Sequence, residues 1–257
     1  MESNVLVVVE GNKTESRFFK RIAEVFDQKF DVYCLGTNIY SLYKRMKDID
    51  FNGNLKDVLA EIHPDQKDIL SKKFAYTYLI FDCDAHHTKK DETRSIGEIV
   101  LHNIQKLGEM AEYFIDETDP TIGKLYINYP MMESYRDCDE FFENKYAEAG
   151  VSITDLPNYK KHVSTRKICR FHVDQYTKEQ FVLLILQNIY KLNKIYNDSW
   201  DKLNYEEYRK CSDTSNILSM QKKFIKSTGL ISVINTSLFM ITDFYGNKDG
   251  FYDSLNL

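Results

Sequence analysis

Apolar residues follow two alternating patterns along the first 150 residues. Continuous runs such as Val5–Val9 are typical of strands that are buried on both faces. Between these runs, apolar residues spaced three and four apart, as at Phe18, Ile22 and Val25, predict amphipathic helices. The pattern predicts strands at 5–9, 30–35, 76–81 and 124–129, and helices near 15–28, 38–48, 54–71, 95–114 and 131–147. We therefore expect an α/β fold with a mainly parallel four-stranded sheet flanked by helices.

The pattern changes after residue 150. Residues 181–196 predict a strong helix, and helical spacing recurs at 205–211, 217–227 and 230–244. We found no internal repeat and no low-complexity tract. The sequence therefore predicts two domains. Residues 1–150 would form a catalytic α/β domain, and residues 151–257 a mostly helical subdomain that binds substrate or a partner.

Composition excludes several classes of protein. The chain of 257 residues is 43% hydrophobic and 28% charged, which is ordinary for a globular protein. Its apolar runs are shorter than the roughly 18 residues that span a bilayer, and the early first strand leaves no room for a signal peptide. The five cysteines lack CxxC or Cys/His spacing, which argues against structural zinc and disulfides. We expect a cytoplasmic protein without a membrane partner.

Charge is divided unevenly between the two parts. Residues 1–150 hold 19 of the 34 basic and 28 of the 39 acidic residues, a net charge of −9, whereas residues 151–257 carry +4. This asymmetry is compatible with an acidic, metal-holding part beside a mildly basic part that contacts nucleic acid.

Acidic residues follow two of the predicted strands. Glu10 ends the first strand and Glu15 comes one turn later, while Asp82 and Asp84 end the third strand. Because Asp82 and Asp84 are two residues apart, their side chains would point the same way in an extended chain. The carboxyl ends of parallel strands meet at one edge of a sheet, and carboxylates are typical ligands of Mg²⁺. We therefore expect a divalent-cation site there, to which Glu10, Glu15, Asp82 and Asp84 can contribute. Alternatively, Glu15 only complements a helix dipole, and the two aspartates belong to a solvated turn.

Neighbouring residues are accessory candidates. Asn12 and Lys13 lie at a predicted helix N-terminus, which favours phosphate, and Thr14 can cap that helix. His86 and His87 could contact phosphate or act as acid or base, although a histidine pair in a loop is more often simply exposed. Lys13 and Lys124 are the candidates for a lysine that stabilises the transition state.

Three segments resemble the Toprim family (topoisomerase–primase fold), in its small RloB-like and OLD-type nuclease branches. They are Glu10-Gly-Asn-Lys-Thr-Glu15, Phe81-Asp-Cys-Asp84 and Tyr129-Pro-Met-Met-Glu133-Ser, and the resemblance covers about residues 3–140. It implies that Glu10 is a metal ligand and possible acid/base, that Asp82 and Asp84 are the DxD ligands, and that Glu15 is the extra acid of the OLD-like branch. By the same resemblance, Glu10, Asp82 and Asp84 would be the catalytic residues, and all four acids would bind Mg²⁺ or Mn²⁺.

The third segment departs from the family pattern. Glu133 matches an acid that follows a strand and proline in RloB-like chains, but Tyr129 replaces the asparagine that usually precedes the proline. Glu133 could instead be an ordinary acid at a helix N-terminus. The resemblance also implies two divalent cations and a partner ATPase of the ABC or OLD type in bacterial antiphage defence. The chain has no P-loop motif of its own.

A basic stretch lies between Asp155 and Asp174, with no acid in between. Its cations are Lys160, Lys161, Arg166, Lys167 and Arg170, interleaved with Tyr159 and Phe171. It could grip a phosphate backbone or stack a base, or it could be a solvated basic face.

Two functions are compatible with these features. The first is a metal-dependent nuclease that hydrolyses RNA or DNA, acting as a toxic defence effector under the control of an ATPase. The second is a non-catalytic Toprim-like module that binds a partner or nucleic acid. For the second, the aromatic residues Trp200, Tyr205, Tyr208 and Phe244 are candidate interface anchors. A homodimer is compatible with either function.

Overall fold

A five-stranded sheet organises the N-terminal part of the chain. The computed structural model describes residues 4–11, 13–88, 93–246 and 250–257. The elements around the sheet are β1 (Val5–Val9), α1 (Thr14–Val25), β2 (Phe30–Cys34), α2 (Ile39–Asp48), α3 (Leu55–Ile62), α4 (Lys67–Leu70), β3 (Tyr76–Asp82), α5 (Ile96–Tyr113), β4 (Ile115–Asp116) and β5 (Gly123–Asn128). Every residue of β1 is buried, as its continuous apolar run predicted.

The strand order is β2-β1-β3-β5-β4. The first four strands are parallel, and β4 pairs antiparallel with β5. The expected mainly parallel α/β sheet is confirmed, but it has five strands instead of four. Strand β4 has only two residues, both exposed, and such a short exposed edge strand leaves no periodic pattern in the sequence.

Two of the predicted helices are not continuous helices in the structure. The segment 54–71 is divided because the chain bends at Pro64, which begins a short 3₁₀ turn; the residue before a proline disfavours helical geometry. The segment 131–147 forms only two 3₁₀ turns, at Met132–Arg136 and Asn144–Glu148. Buried Glu133, Ser134 and Asp137 interrupt the apolar face that a helix there would need.

The C-terminal part is mostly helical. It contains β6 (Gly150–Ser152), α6 (Tyr159–Val163), α7 (Lys178–Asn197), α8 (Tyr205–Cys211), α9 (Thr214–Thr228), β7 (Leu230–Ser232), α10 (Phe239–Tyr245) and α11 (Phe251–Ser254). A capping box between Thr177 and Gln180 begins α7. The helix predicted at 230–244 is wrong in its first half, because 230–232 form β7, which pairs with β6.

One continuous apolar core joins the sheet to these C-terminal helices. Residues of β1, β3 and β5 belong to it together with residues of α7, α9 and α10. Ring contacts between Phe18 of α1 and Phe181 of α7, 5.6 Å apart, illustrate this packing. The division into domains at residue 150 stays a prediction. Within the described ranges, no helix has the length and apolarity needed to cross a bilayer.

Candidate active site

The acidic residues predicted to act together lie at one edge of the sheet. Strands β1 and β3 are adjacent and parallel, with Val9 opposite Ile80, so Glu10 and Asp82 both stand at carboxyl ends. Strand β5 ends beside them, with Asn128 opposite Asp82. The crevice at this edge is where ligands bind in open parallel sheets.

The pKa of Glu10 lies far above the ordinary value for a carboxyl group. Burial, then the negative charges of Asp84 and Glu15, raise the pKa of Glu10 to about 8, against the opposing effects of Lys160 and a backbone hydrogen bond at Asp82. Its Oε2 atom is buried without a hydrogen-bond partner. A buried oxygen without a partner is costly, which makes Glu10 a candidate ligand or proton carrier.

Asp82 and Asp84 lie beside Glu10, but not for the reason the sequence suggested. Asp82 ends β3 and is buried, and burial followed by Glu10 and Asp84 raises its pKa well above the ordinary value. Asp84 has left the strand: its φ is +37°, and its carbonyl accepts a hydrogen bond from the His87 backbone at 2.8 Å. The expectation that both side chains project from one extended strand is therefore wrong, although their charges still interact.

Glu15 serves the helix terminus and also faces the other acids. Burial raises the pKa of Glu15, backbone hydrogen bonds from Glu15 and Gly11 lower it, and Glu133 raises it. A Cβ atom on Gly11 would lie 2.9 Å from Glu15 Oε2, so the carboxylate folds over a position that suits glycine. Both interpretations of Glu15 therefore have support. The predicted cap at Thr14 is wrong, because Thr14 is the first helical residue and Lys13 precedes it without a side-chain cap.

Glu133 joins the cluster from the 3₁₀ turn after β5. It is 6% exposed, its Oε2 has no hydrogen-bond partner, and its Oε1 lies 3.4 Å from Lys160 Nζ. Burial acts to lower the pKa of Lys160, but Glu133 and Asp82 raise it above the ordinary value. Lys160, which we predicted only as a nucleic-acid contact, is thus a cation of the carboxylate cluster.

Buried polar side chains hold the turn that carries Glu133. Asn235 Nδ2 donates to Met132 O at 2.9 Å and to Ser134 Oγ at 3.1 Å. The Asn235 backbone N–H donates to Asn188 Oδ1 at 2.7 Å, and Ser237 Oγ donates to Asn235 Oδ1 at 2.6 Å. A fully satisfied buried network of this kind fixes one conformation, here the position of Glu133.

We expect Asn235→Ala to lower the free energy of unfolding by about 2 kcal/mol, because several buried polar groups lose their partner. Urea denaturation at pH 7 would measure the loss. Asn256→Ala, at an exposed asparagine near the C-terminus, is the matched control and should change stability little. An unaltered midpoint for Asn235→Ala would contradict the role of this network.

The remaining accessory candidates differ in position. His86 lies close enough to act on Asp84: burial raises the pKa of Asp84, and His86, Lys160 and His87 oppose that effect. His86 Nδ1 is buried without a hydrogen-bond partner, whereas His87 stacks on Tyr40 at 5.3 Å. Lys13 is exposed, and Asn12 lies outside the described residues.

Tyr40 is a residue of the site that sequence reasoning missed. It is buried, its hydroxyl donates to Cys83 O at 2.6 Å, and its pKa is raised by burial, Cys83, Asp84 and Glu10. It lies on α2 between the two acidic segments in the sequence, and no pattern distinguished it from other apolar-face residues.

Lys124 lies away from the site. It stands near the start of β5, whereas the acids stand at the strand ends, and its Nζ donates to Asp243 Oδ2 at 2.5 Å. The hypothesis that Lys124 stabilises the transition state is therefore wrong. The lysine that lies beside the carboxylates is Lys160.

The basic stretch is only partly available to a ligand. Arg166 Nε donates to Asp137 Oδ1 at 2.7 Å, and Asp137 is 4% exposed, so Arg166 has a structural role. The cations Lys160, Lys161, Lys167 and Arg170 are exposed. The candidate interface therefore keeps four of its five predicted cations.

The carboxylate oxygens of the cluster suit a hard cation, although the distances between the carboxylates do not form a coordination shell. Carboxylate oxygens dominate the cluster, two of them buried without a partner, and Mg²⁺ takes oxygen ligands. Across the described part of the chain, however, no three His, Cys, Asp or Glu side chains are grouped as they would be around a metal ion. The carboxylates thus share a crevice without converging on one point.

No family model, curated protein or solved structure matches the chain.

Proposed function

We propose that the chain is a Mg²⁺- or Mn²⁺-dependent nuclease of the Toprim type that hydrolyses phosphodiester bonds in RNA or DNA. The observation that carries this proposal is the grouping of half-buried Glu10 with buried Asp82 and Glu133 at one crevice, where Lys160 pairs with Glu133. Acids that are buried together are unstable as anions, and a divalent cation would compensate their charge.

The roles of the residues follow from their positions. Glu10, Asp82 and Asp84 would hold the metal, with Glu15 and Glu133 completing the acidic surface. Bound divalent cations would polarise the phosphodiester and stabilise the leaving oxygen. Because burial and the neighbouring acids raise the pKa of Glu10 to about 8, binding of a divalent cation near neutral pH would displace a proton from Glu10. Lys160 pairs with Glu133, and it can instead pair with a substrate phosphate.

Control by a partner ATPase in antiphage defence is part of the same proposal, and it rests on the family resemblance alone. A cytoplasmic location is proposed with it. The competing proposal, a binding module without catalysis, is weakened by the same residues, because a degenerate site would have no reason to keep buried carboxylate oxygens of Glu10 and Glu133 without a hydrogen-bond partner.

The test is cleavage of total RNA, transfer RNA and plasmid DNA with Mg²⁺, Mn²⁺ or EDTA. We expect cleavage only with a divalent cation, and loss to background in Glu10→Ala and Asp82→Ala. Glu61→Ala, at an exposed acid of α3, is the matched control and should cut normally. Normal cutting by both site variants would refute the assignment, and a silent parent chain would be retested by co-expression with an ATPase of the ABC or OLD type.

A further inference from the structure

Phe171 is an exposed aromatic residue within the basic stretch. It is 52% exposed, and Arg170 and His172 beside it are exposed as well. The other large hydrophobic residues exposed in the described ranges are aliphatic: Ile49, Ile115 and Leu257. A single exposed apolar side chain needs no explanation, but an aromatic ring beside a cationic side chain has a specific binding chemistry.

The backbone around Phe171 is fixed by its surroundings. Ile168 is fully buried, the Lys167 backbone N–H donates to Asp139 Oδ1 at 2.9 Å, and Arg166 pairs with Asp137. The Phe171 ring contacts the ring of Phe141, with 6.2 Å between centroids. The exposed ring is therefore presented on an ordered support, which lowers the entropy lost on binding.

The basic stretch reaches the carboxylate crevice at its first cation. Lys160 begins the basic stretch and pairs with Glu133. The acids that anchor its later residues, Asp137 and Asp139, follow Glu133 in the same loop. A polyanion that follows the exposed Lys161, Lys167 and Arg170 would therefore reach Lys160 beside the acids.

We propose that Phe171 stacks on a base of single-stranded nucleic acid while Lys161, Lys167 and Arg170 contact the phosphate backbone. This inference rests on the proposed function, and it specifies the substrate as a single strand or an unpaired loop. The reason is geometric: a base can stack on an aromatic side chain only when its face is free, and in a duplex both faces are covered by neighbouring bases.

The test is fluorescence anisotropy with labelled RNA and DNA strands of about 12 nucleotides and with their duplexes. Binding is measured in EDTA with the Glu10→Gln protein, so that no cleavage is required. We expect the single strands to bind more tightly than the duplexes, and Phe171→Ala to weaken single-strand binding about tenfold while leaving duplex binding unchanged. Arg170→Ala should weaken the binding of both forms and reduce its salt dependence.

Two variants separate stacking from other effects. Phe171→Trp should restore binding because it keeps an aromatic face, and Ile115→Ala, at an exposed residue of β4, should bind as the parent does. The inference is overturned if Phe171→Ala binds single strands normally, if it weakens both forms equally, or if neither form binds, in which case a protein partner would be the better occupant. Metal-dependent cleavage with normal binding by Phe171→Ala would refute this inference alone. Phe171-dependent binding without cleavage would refute only the nuclease proposal.

Discussion

The Glu10→Gln protein is expected to be more stable than the parent chain in EDTA at pH 8, although it should cut no substrate. Most substitutions of a buried residue destabilise a protein. Here the opposite is expected because a negative charge at Glu10 is disfavoured by burial and by the neighbouring acids Asp84 and Glu15. Glutamine removes that charge with little change in shape.

The sign of the pH dependence follows from the raised pKa of Glu10. In the unfolded chain this carboxyl loses its proton near 4.5, whereas in the folded protein it keeps the proton up to about pH 8. Below pH 4.5 both states are protonated and the group contributes nothing. As pH rises from about 4.5 to 8, the folded state binds more protons than the unfolded state, so stability falls, by on the order of a few kcal/mol. The raised pKa of Asp82 acts in the same direction.

Thermal unfolding followed at pH 5 and pH 8 would measure this effect. In EDTA, the parent chain should lose stability between the two values, and Glu10→Gln should lose less. Millimolar Mg²⁺ should raise the melting temperature of the parent at pH 8 and have little effect on Glu10→Gln, because ligand binding to the folded state stabilises it. Glu61→Gln is the control, with the same charge change at an exposed position. A parent chain that is as stable at pH 8 as at pH 5, and indifferent to Mg²⁺, would contradict the carboxylate cluster.

The part of the site that the sequence predicted is the part set by strand order. An apolar run such as Val5–Val9 must be buried, and the residue after a buried parallel strand must lie at the sheet edge. This is why Glu10 and Asp82 could be placed together without coordinates. The prediction also required β1 and β3 to be neighbours in the sheet, and they are.

The parts that could not be predicted depend on contacts between distant residues. Lys160 is near Glu133 because α6 packs against the turn after β5, and no local periodicity records such a contact. The sequence predicts a helix at this turn, because no local pattern shows that its Met132 carbonyl and Ser134 hydroxyl accept hydrogen bonds from Asn235 in the C-terminal part. The positive φ of Asp84 could not be predicted either, because a DxD motif has the same sequence in a strand and in a turn.

Asp243→Ala is expected to lower the free energy of unfolding by about 3 kcal/mol, because it removes the acceptor that joins β5 to the C-terminal helices. Asp243 Oδ2 accepts from Lys124 Nζ at 2.5 Å and from the Tyr126 hydroxyl at 2.6 Å, and Oδ1 accepts from the Tyr208 hydroxyl at 3.0 Å. Burial acts to lower the pKa of Lys124, but Asp243 and Glu117 raise it. Without Asp243, this lysine keeps a poorly compensated charge.

The double variant Lys124→Met, Asp243→Asn should recover much of that stability, since it removes both half-buried charges, and the amide offers one acceptor and one donor to the hydroxyls of Tyr126 and Tyr208. Urea denaturation of Lys124→Met, Asp243→Asn and the double variant gives the coupling between the two residues.

Cleavage assays distinguish the roles of Lys124 and Lys160. Lys124→Met should cut normally at temperatures where it is folded, whereas Lys160→Met should cut slowly while remaining stable, because its exposed side chain contributes charge to the crevice rather than packing. Slow cleavage by a stable Lys124→Met protein would return Lys124 to the catalytic site and contradict the assignment of Lys160.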